Sequence, residues 1–151
     1  MNRTISNLFC IGAATAVLLG IAVKSLIAAP TSALQPSARI IHIHRLLQEK
    51  ILPQILPGVR RTDLAGTQTA VVRLLQIRSI RRHIHRANTE YVYVVDGSGR
   101  VMLGDRSELV RPGDLVVIPP GVPHAFVADS GTLNLLNMAS PPDTPEQTTW
   151  L

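Results

Sequence analysis

From Thr69 onward the chain is written in short apolar runs broken by turn residues. The runs Ala70–Arg78, Arg82–His85, Glu90–Val95, Arg100–Leu103, Glu108–Val110, Asp114–Ile118, His124–Val127 and Leu133–Met138 are rich in Val, Ile, Leu and Tyr. Alternation of apolar and polar positions is the mark of a strand with one buried face. Turn chemistry separates the runs: Asp96-Gly97-Ser98-Gly99, Gly104-Asp105, Arg111-Pro112-Gly113 and Pro119-Pro120-Gly121. Asp-Gly favours the positive φ values of a tight hairpin. Prolines end the strand before them because they cannot donate to a ladder. No helical period of useful length interrupts the region. Many short, closely spaced strands predict an all-β sandwich or barrel, the jelly roll included.

The pattern upstream is different. Thr4 to Val23 carries no charge, and LFCIGAATAVLLGIAV forms its apolar centre. Arg3 precedes it and small residues follow, which is the layout of an export signal with cleavage after Ala33. The alternative is an uncleaved anchor, since the run is long enough to span ~30 Å of hydrocarbon. Either way the barrel is expected outside the cytoplasm, periplasmic or secreted, or held at the membrane. Between this segment and the barrel, Pro36, Pro53, Pro57 and Gly58 break the chain. Leu46 to Leu52 predicts one or two helical turns stopped at Pro53. Arg39 to His44 alternates like an edge strand, with His42 and His44 on its wet face. The predicted plan is therefore a signal or anchor over 1–33, a linker over 34–68, a barrel over 69–139 and a Pro-rich tail over 140–151.

Composition narrows the function classes. The chain has 151 residues, 46% of them hydrophobic and 17% charged, which suits one domain with a core plus an extension. Its formal net charge of +5 is scattered apart from Arg78, Arg81, Arg82 and Arg86, and aromatics make up only 3%. A nucleic-acid surface would interleave a basic stripe with stacking rings, so no nucleic-acid partner is expected. Cys10 is the single cysteine, which excludes an intrachain disulfide and a cysteine zinc cluster.

The chemistry concentrates between His83 and His124. Three of the five histidines, His83, His85 and His124, lie in this stretch. Alternate side chains of a strand share a face, so His83 and His85 point the same way. Glu90 opens the next run after a four-residue link, and a hairpin would bring its carboxylate beside them. Val92 and Val94 share Glu90's inward face, and Phe126 shares that of His124. Three imidazoles and a carboxylate converging in an apolar pocket predict a site for one divalent transition metal. Arg81 shares the inward face if the strand of His83 extends backward, where it would grip an anionic substrate; the alternative is a solvated charge in the loop before the strand.

These residues resemble the cupin family, whose two motifs read G-x5-H-x-H-x3,4-E-x6-G and G-x5-P-x-G-x2-H-x3-N. His83, His85, Glu90 and Gly97 fit the first; Gly113, Pro119, Gly121 and His124 fit the second. Ile77 stands where the first motif begins with glycine, and Ala128 where the second ends with asparagine. The resemblance implies a jelly-roll barrel, often dimeric, holding Fe, Mn, Ni or Zn on His83, His85, Glu90 and His124. It also implies a small-molecule substrate or ligand, contacted by Arg81, Val92, Val94 and Phe126. Two functions stay open: a mononuclear metal enzyme of dioxygenase, decarboxylase or isomerase type, or a metal- or ligand-binding module without turnover.

Overall fold

The computed structural model describes residues 37–49 and 52–151. The export or anchor segment expected over 1–33 lies outside the described residues. Among the described residues no helix is long and apolar enough to cross a membrane.

One short helix precedes a two-sheet jelly roll. The helix α1 spans Ile43–Glu49 and is followed by β1 (Gln54–Leu56), β2 (Val59–Gly66), β3 (Val71–Ile77) and β4 (Ser79–His85). Then come β5 (Thr89–Asp96), β6 (Gly99–Leu103), β7 (Arg106–Val110), β8 (Leu115–Ile118), β9 (His124–Ala128), β10 (Leu133–Ser140) and β11 (Thr148–Trp150). One sheet runs β1-β2-β3-β10-β5-β8 and the other β11-β4-β9-β6-β7. Their inner faces enclose a core that includes Val59, Ile77, Val92, Val94, Val101, Ile118, Phe126, Leu133 and Leu135. Apart from Val59, which lies in the stretch expected as a linker, the period-two pattern read from the sequence supplies these residues, since each comes from the buried parity of its strand. Ile77, at the place of a motif glycine, is one of them.

Three local expectations are corrected. Residues 34–68 are not merely a linker: β1 and β2 extend the first sheet, with β2 pairing β3 from Val59↔Ile77 to Gly66↔Val71. Arg39–His44 is not an edge strand, because the helix begins at Ile43. Ile43, Leu46 and Leu47 recur at the helical i, i+3, i+4 spacing and pack, with Ile41, on Leu52, Leu64 and Leu74 outside the first sheet. That contact outweighs a short alternation. His42 and His44 are exposed.

The Asp96-Gly97 turn is not a hairpin either. It carries the chain from β5 in one sheet to β6 in the other. Gly97 takes φ +85°, and a Cβ there would lie 2.4 Å from the Thr132 carbonyl oxygen. The true hairpin is one turn later, at Gly104-Asp105, where Leu103 pairs with Arg106. The tail is held as an extended strap by pairing. A 3-10 turn at Pro145–Gln147 leads into β11, which adds to the edge of β4.

Candidate metal centre

The three histidines converge from two neighbouring strands of one sheet. His83 and His85 share a face of β4, and His124 opens β9 directly opposite His83. Pro119, Pro120 and Gly121 end β8 and turn the chain so that His124 enters the interior; Gly121 takes φ +80° and its N–H donates to the His85 carbonyl. One ring nitrogen from each of His83, His85 and His124 lies within 4.8 Å of the others. The ring centroids of His83 and His124 are 4.2 Å apart. All three side chains are buried.

Glu90 reaches the cluster from the facing sheet. The hairpin expected between His85 and Glu90 does not form, because β4 and β5 belong to different sheets. The link between them crosses the barrel, so the carboxylate meets the imidazoles across the interior. Its Oε2 lies 3.2 Å from His124 Nε2 and its Oε1 3.6 Å from His85 Nε2. The Asn137 amide donates to Oε1 at 3.1 Å.

Hydrogen bonds on the far side of the rings fix which nitrogen faces inward. His83 Nδ1 lies 2.7 Å from the Arg81 carbonyl, and His124 Nδ1 2.9 Å from the Val122 carbonyl. A carbonyl only accepts, so both Nδ1 atoms carry the proton and both Nε2 atoms present a lone pair when the rings are neutral. His85 Nδ1 meets the Thr148 hydroxyl at 3.1 Å.

Burial sets the charge state. It is the main reason His83 is lowered from 6.5 to about 4, with the neighbouring His124 adding to the effect. His85 is also lowered, mainly by burial, against the opposing pull of Glu90. Burial alone would raise the Glu90 carboxyl. His124 and His85 in their protonated forms, and the Asn137 amide, outweigh it and hold the group below its usual range. Imidazoles in their neutral form beside an ionised carboxylate would be the donor set that borderline divalent ions prefer. A lone pair on His124 Nε2 facing a carboxylate oxygen at 3.2 Å is repulsive unless a proton or a metal ion lies between them. The cluster is thus compatible with a divalent transition metal.

A cavity of about 340 Å³ opens onto the cluster. Val92 and Phe126 line it, as does Ile80, while Val94 is buried in the apolar core and does not reach it. Arg81 does not point inward. A bulge in β4 sets four residues, Ile80 to His83, against three of β9, Phe126 to His124. The extra residue flips the parity. Ile80 takes the inward place, and the exposed Arg81 lies with its guanidinium carbon 5.3 Å from the Trp150 ring centroid.

Several lining residues were not singled out in the sequence. Arg73 and Asn137 are buried and project into the barrel from β3 and β10. Both sit on the apolar parity of their runs, beside Val71, Leu75 and Ile77 or Leu133 and Leu135; a polar side chain on that parity was a readable signal. Asp143, Thr148 and Trp150 come from the tail, where a three-residue strand carries no periodicity to read. Arg73 pairs with Asp143, and its Nε lies 3.4 Å from Asp63.

The comparisons agree with this fold. Residues 70–138 match the family model described as Cupin domain. Among solved structures, KdgF from Halomonas sp. is 24% identical, covers 66% of this chain and 93% of its own, and superposes with a TM-score of 0.60. An RmlC-like cupin from Shewanella frigidimarina is 22% identical over 63% of this chain and 86% of its own, with a TM-score of 0.57. Pac13, a nucleoside dehydratase, is 18% identical over 62% of this chain and 78% of its own, with a TM-score of 0.55; variants of the Streptomyces protein are solved with uridine. At these identities the likeness is one of fold. No curated protein matches the sequence.

Proposed function

We propose that residues 70–138, which match the Cupin domain model, are the body of a mononuclear metal enzyme acting on a small organic molecule. His83, His85, His124 and Glu90 would hold the ion. One observation carries the reading: His83 and His124 donate Nδ1–H to backbone carbonyls, leaving Nε2 lone pairs turned into a cavity that also holds Glu90. A bound ion would supply Lewis acidity or redox capacity, according to its identity, and would suit dioxygenase, decarboxylase or isomerase chemistry. The chain's own residues supply the rest. Val92, Phe126 and Ile80 exclude water from one side of the cavity, and Asn137 holds the carboxylate in place. The uncharged run from Thr4 to Val23 supports a place of action outside the cytoplasm.

A binding role without turnover is the second reading, and one observation favours it. Among the described residues, the only carboxylate lining the cavity apart from the four proposed ligands is Asp143, and it is paired with Arg73. No free acid–base group therefore faces the cavity among the described residues. Metal analysis of the purified chain tests the shared premise. About one equivalent of Fe, Mn, Ni or Zn, lost in a His83→Ala variant, is expected. Oxygen uptake and product analysis on the loaded protein with phenols, keto acids and sugars then separate turnover from binding.

A further inference from the structure

The C-terminal strand lies beside two of the three histidines. In β11, Thr148 pairs with His85 and Trp150 with His83. Cross-strand partners share a face, so both tail side chains lie on the histidine side of the sheet. Trp150 stacks at a tilt on His83 with centroids 5.0 Å apart. Further contacts tie the strand down: Arg86 Nε donates to the Thr149 hydroxyl at 2.9 Å, and the Leu151 N–H to the Arg82 carbonyl at 2.9 Å. This strand lies beyond the residues that match the family model.

The three histidines are not held alike. His83 and His124 are locked by carbonyls into the Nδ1–H form. His85 meets a hydroxyl, which both donates and accepts. Two arrangements therefore satisfy it. Nε2–H can point at Glu90 Oε1, 3.6 Å away, while the Thr148 hydroxyl donates to Nδ1. Alternatively, Nδ1–H donates to the Thr148 oxygen and the Nε2 lone pair faces inward. Only the second can hold a metal.

Resting on the proposed metal reading, we infer that Thr148 is a positioning residue that lets His85 exchange one tautomer for the other as the ion enters or leaves. The metal-free ring keeps Nε2–H towards the carboxylate, so it does not set a second lone pair against Glu90. With a metal on Nε2, the ring would carry its proton on Nδ1, delivered through solvent, and the Thr148 hydroxyl would accept where it had donated. A carbonyl at this place would forbid the first state. An apolar side chain would leave Nδ1 without a partner in both.

Two measurements on the full chain test this. Nitrogen NMR of ¹⁵N-histidine-labelled protein, with and without Zn(II), reads the tautomer of each ring. His85 is expected as Nε2–H without zinc and Nδ1–H with it, while neutral His83 and His124 keep Nδ1–H throughout. An Nδ1–H signal from His85 in both states overturns the inference. Equilibrium dialysis with Co(II) gives the second reading. Thr148→Val should bind about 10–100-fold more weakly, the usual effect of losing a ligand's outer hydrogen bond, and Thr148→Ser should bind like wild type. A valine variant with wild-type affinity also overturns the inference. Should the valine variant not fold, the NMR measurement decides alone. A wild-type chain that takes up neither ion overturns the metal reading, and the inference with it.

Discussion

Asn137 donates its side-chain amide to Glu90 at 3.1 Å, and both residues are buried. The bond joins adjacent strands, β10 and β5, on the inner face of the first sheet. It fixes the carboxylate that meets the imidazole cluster. Asn137→Ala removes the donor and leaves Glu90 Oε1 less well held. Metal affinity should fall about 10–100-fold, and stability by about 1–3 kcal/mol from the lost buried bond. Metal dialysis and denaturant unfolding check the two effects separately.

Removing a proposed ligand should harm the site far more than the fold. His124 is buried but is not among the apolar side chains that form the core between the sheets. A barrel that buries its own core does not need the ion to fold, unlike a zinc finger. His124→Ala should keep the wild-type circular dichroism spectrum while losing more affinity than the ~100-fold typical of an outer partner. Full metal occupancy in this variant would show that His124 is not a ligand.

Acid should destabilise the metal-free protein. Burial lowers His83 from 6.5 to about 4, so the folded chain takes up this proton less readily than the unfolded chain. The stability that this residue contributes is fully present above about pH 6.5. It is lost as pH falls towards about 4 and changes no further below that. Glu90, also lowered, acts in the same direction: its contribution is lost as pH falls through its folded pKa. Thermal unfolding in a chelating buffer between pH 7 and 4 should show a falling midpoint. A His83→Gln variant should show a shallower fall over the same range, and an equal slope in the two proteins would contradict the assignment.

The site was more legible in the sequence than the architecture that delivers it. Strand spacing put His83 and His85 on one face, and the turn before His124 brought the third histidine to them; the resemblance agreed with that set. Sequence cannot say which sheet a strand joins, so Glu90 was expected along a hairpin and comes instead across the barrel. Nor does period-two reading survive a bulge. One extra residue between Ile80 and His83 moved Arg81 from the interior to the surface. The tail was opaque for another reason: β11 is held by its pairing with β4, a contact 63 residues distant between Thr148 and His85. Local propensity over three residues cannot encode that.

The ion pair between the tail and the barrel should be worth more than a surface salt bridge. Arg73 is buried, and Asp143 and Asp63 are its charged partners. Asp143→Ala leaves Asp63 at 3.4 Å as the remaining partner, so the cost should fall below the ~3–5 kcal/mol of a fully orphaned buried charge. About 1–3 kcal/mol is expected from urea unfolding. The variant should also expose Trp150, the single tryptophan, and shift its fluorescence to the red.

Two glycines of equal backbone type should respond differently to a methyl group. Gly97 and Gly104 both adopt positive φ, +85° and +59°. Around Gly104 nothing lies within 4 Å of an added Cβ, so Gly104→Ala meets only the left-handed backbone cost, about 1–2 kcal/mol, partly offset by a less flexible unfolded chain. At Gly97 the same methyl would meet the Thr132 carbonyl oxygen at 2.4 Å. That atom is backbone at the entry to β10 and cannot rotate away. Gly97→Ala should therefore add an overpacking cost of about 1–3 kcal/mol to the backbone cost. It should also disturb the crossing from β5 to β6, and with it the strand that carries Glu90. Denaturant unfolding of the two variants side by side measures the difference, and equal losses would show that the turn yields where the geometry says it cannot.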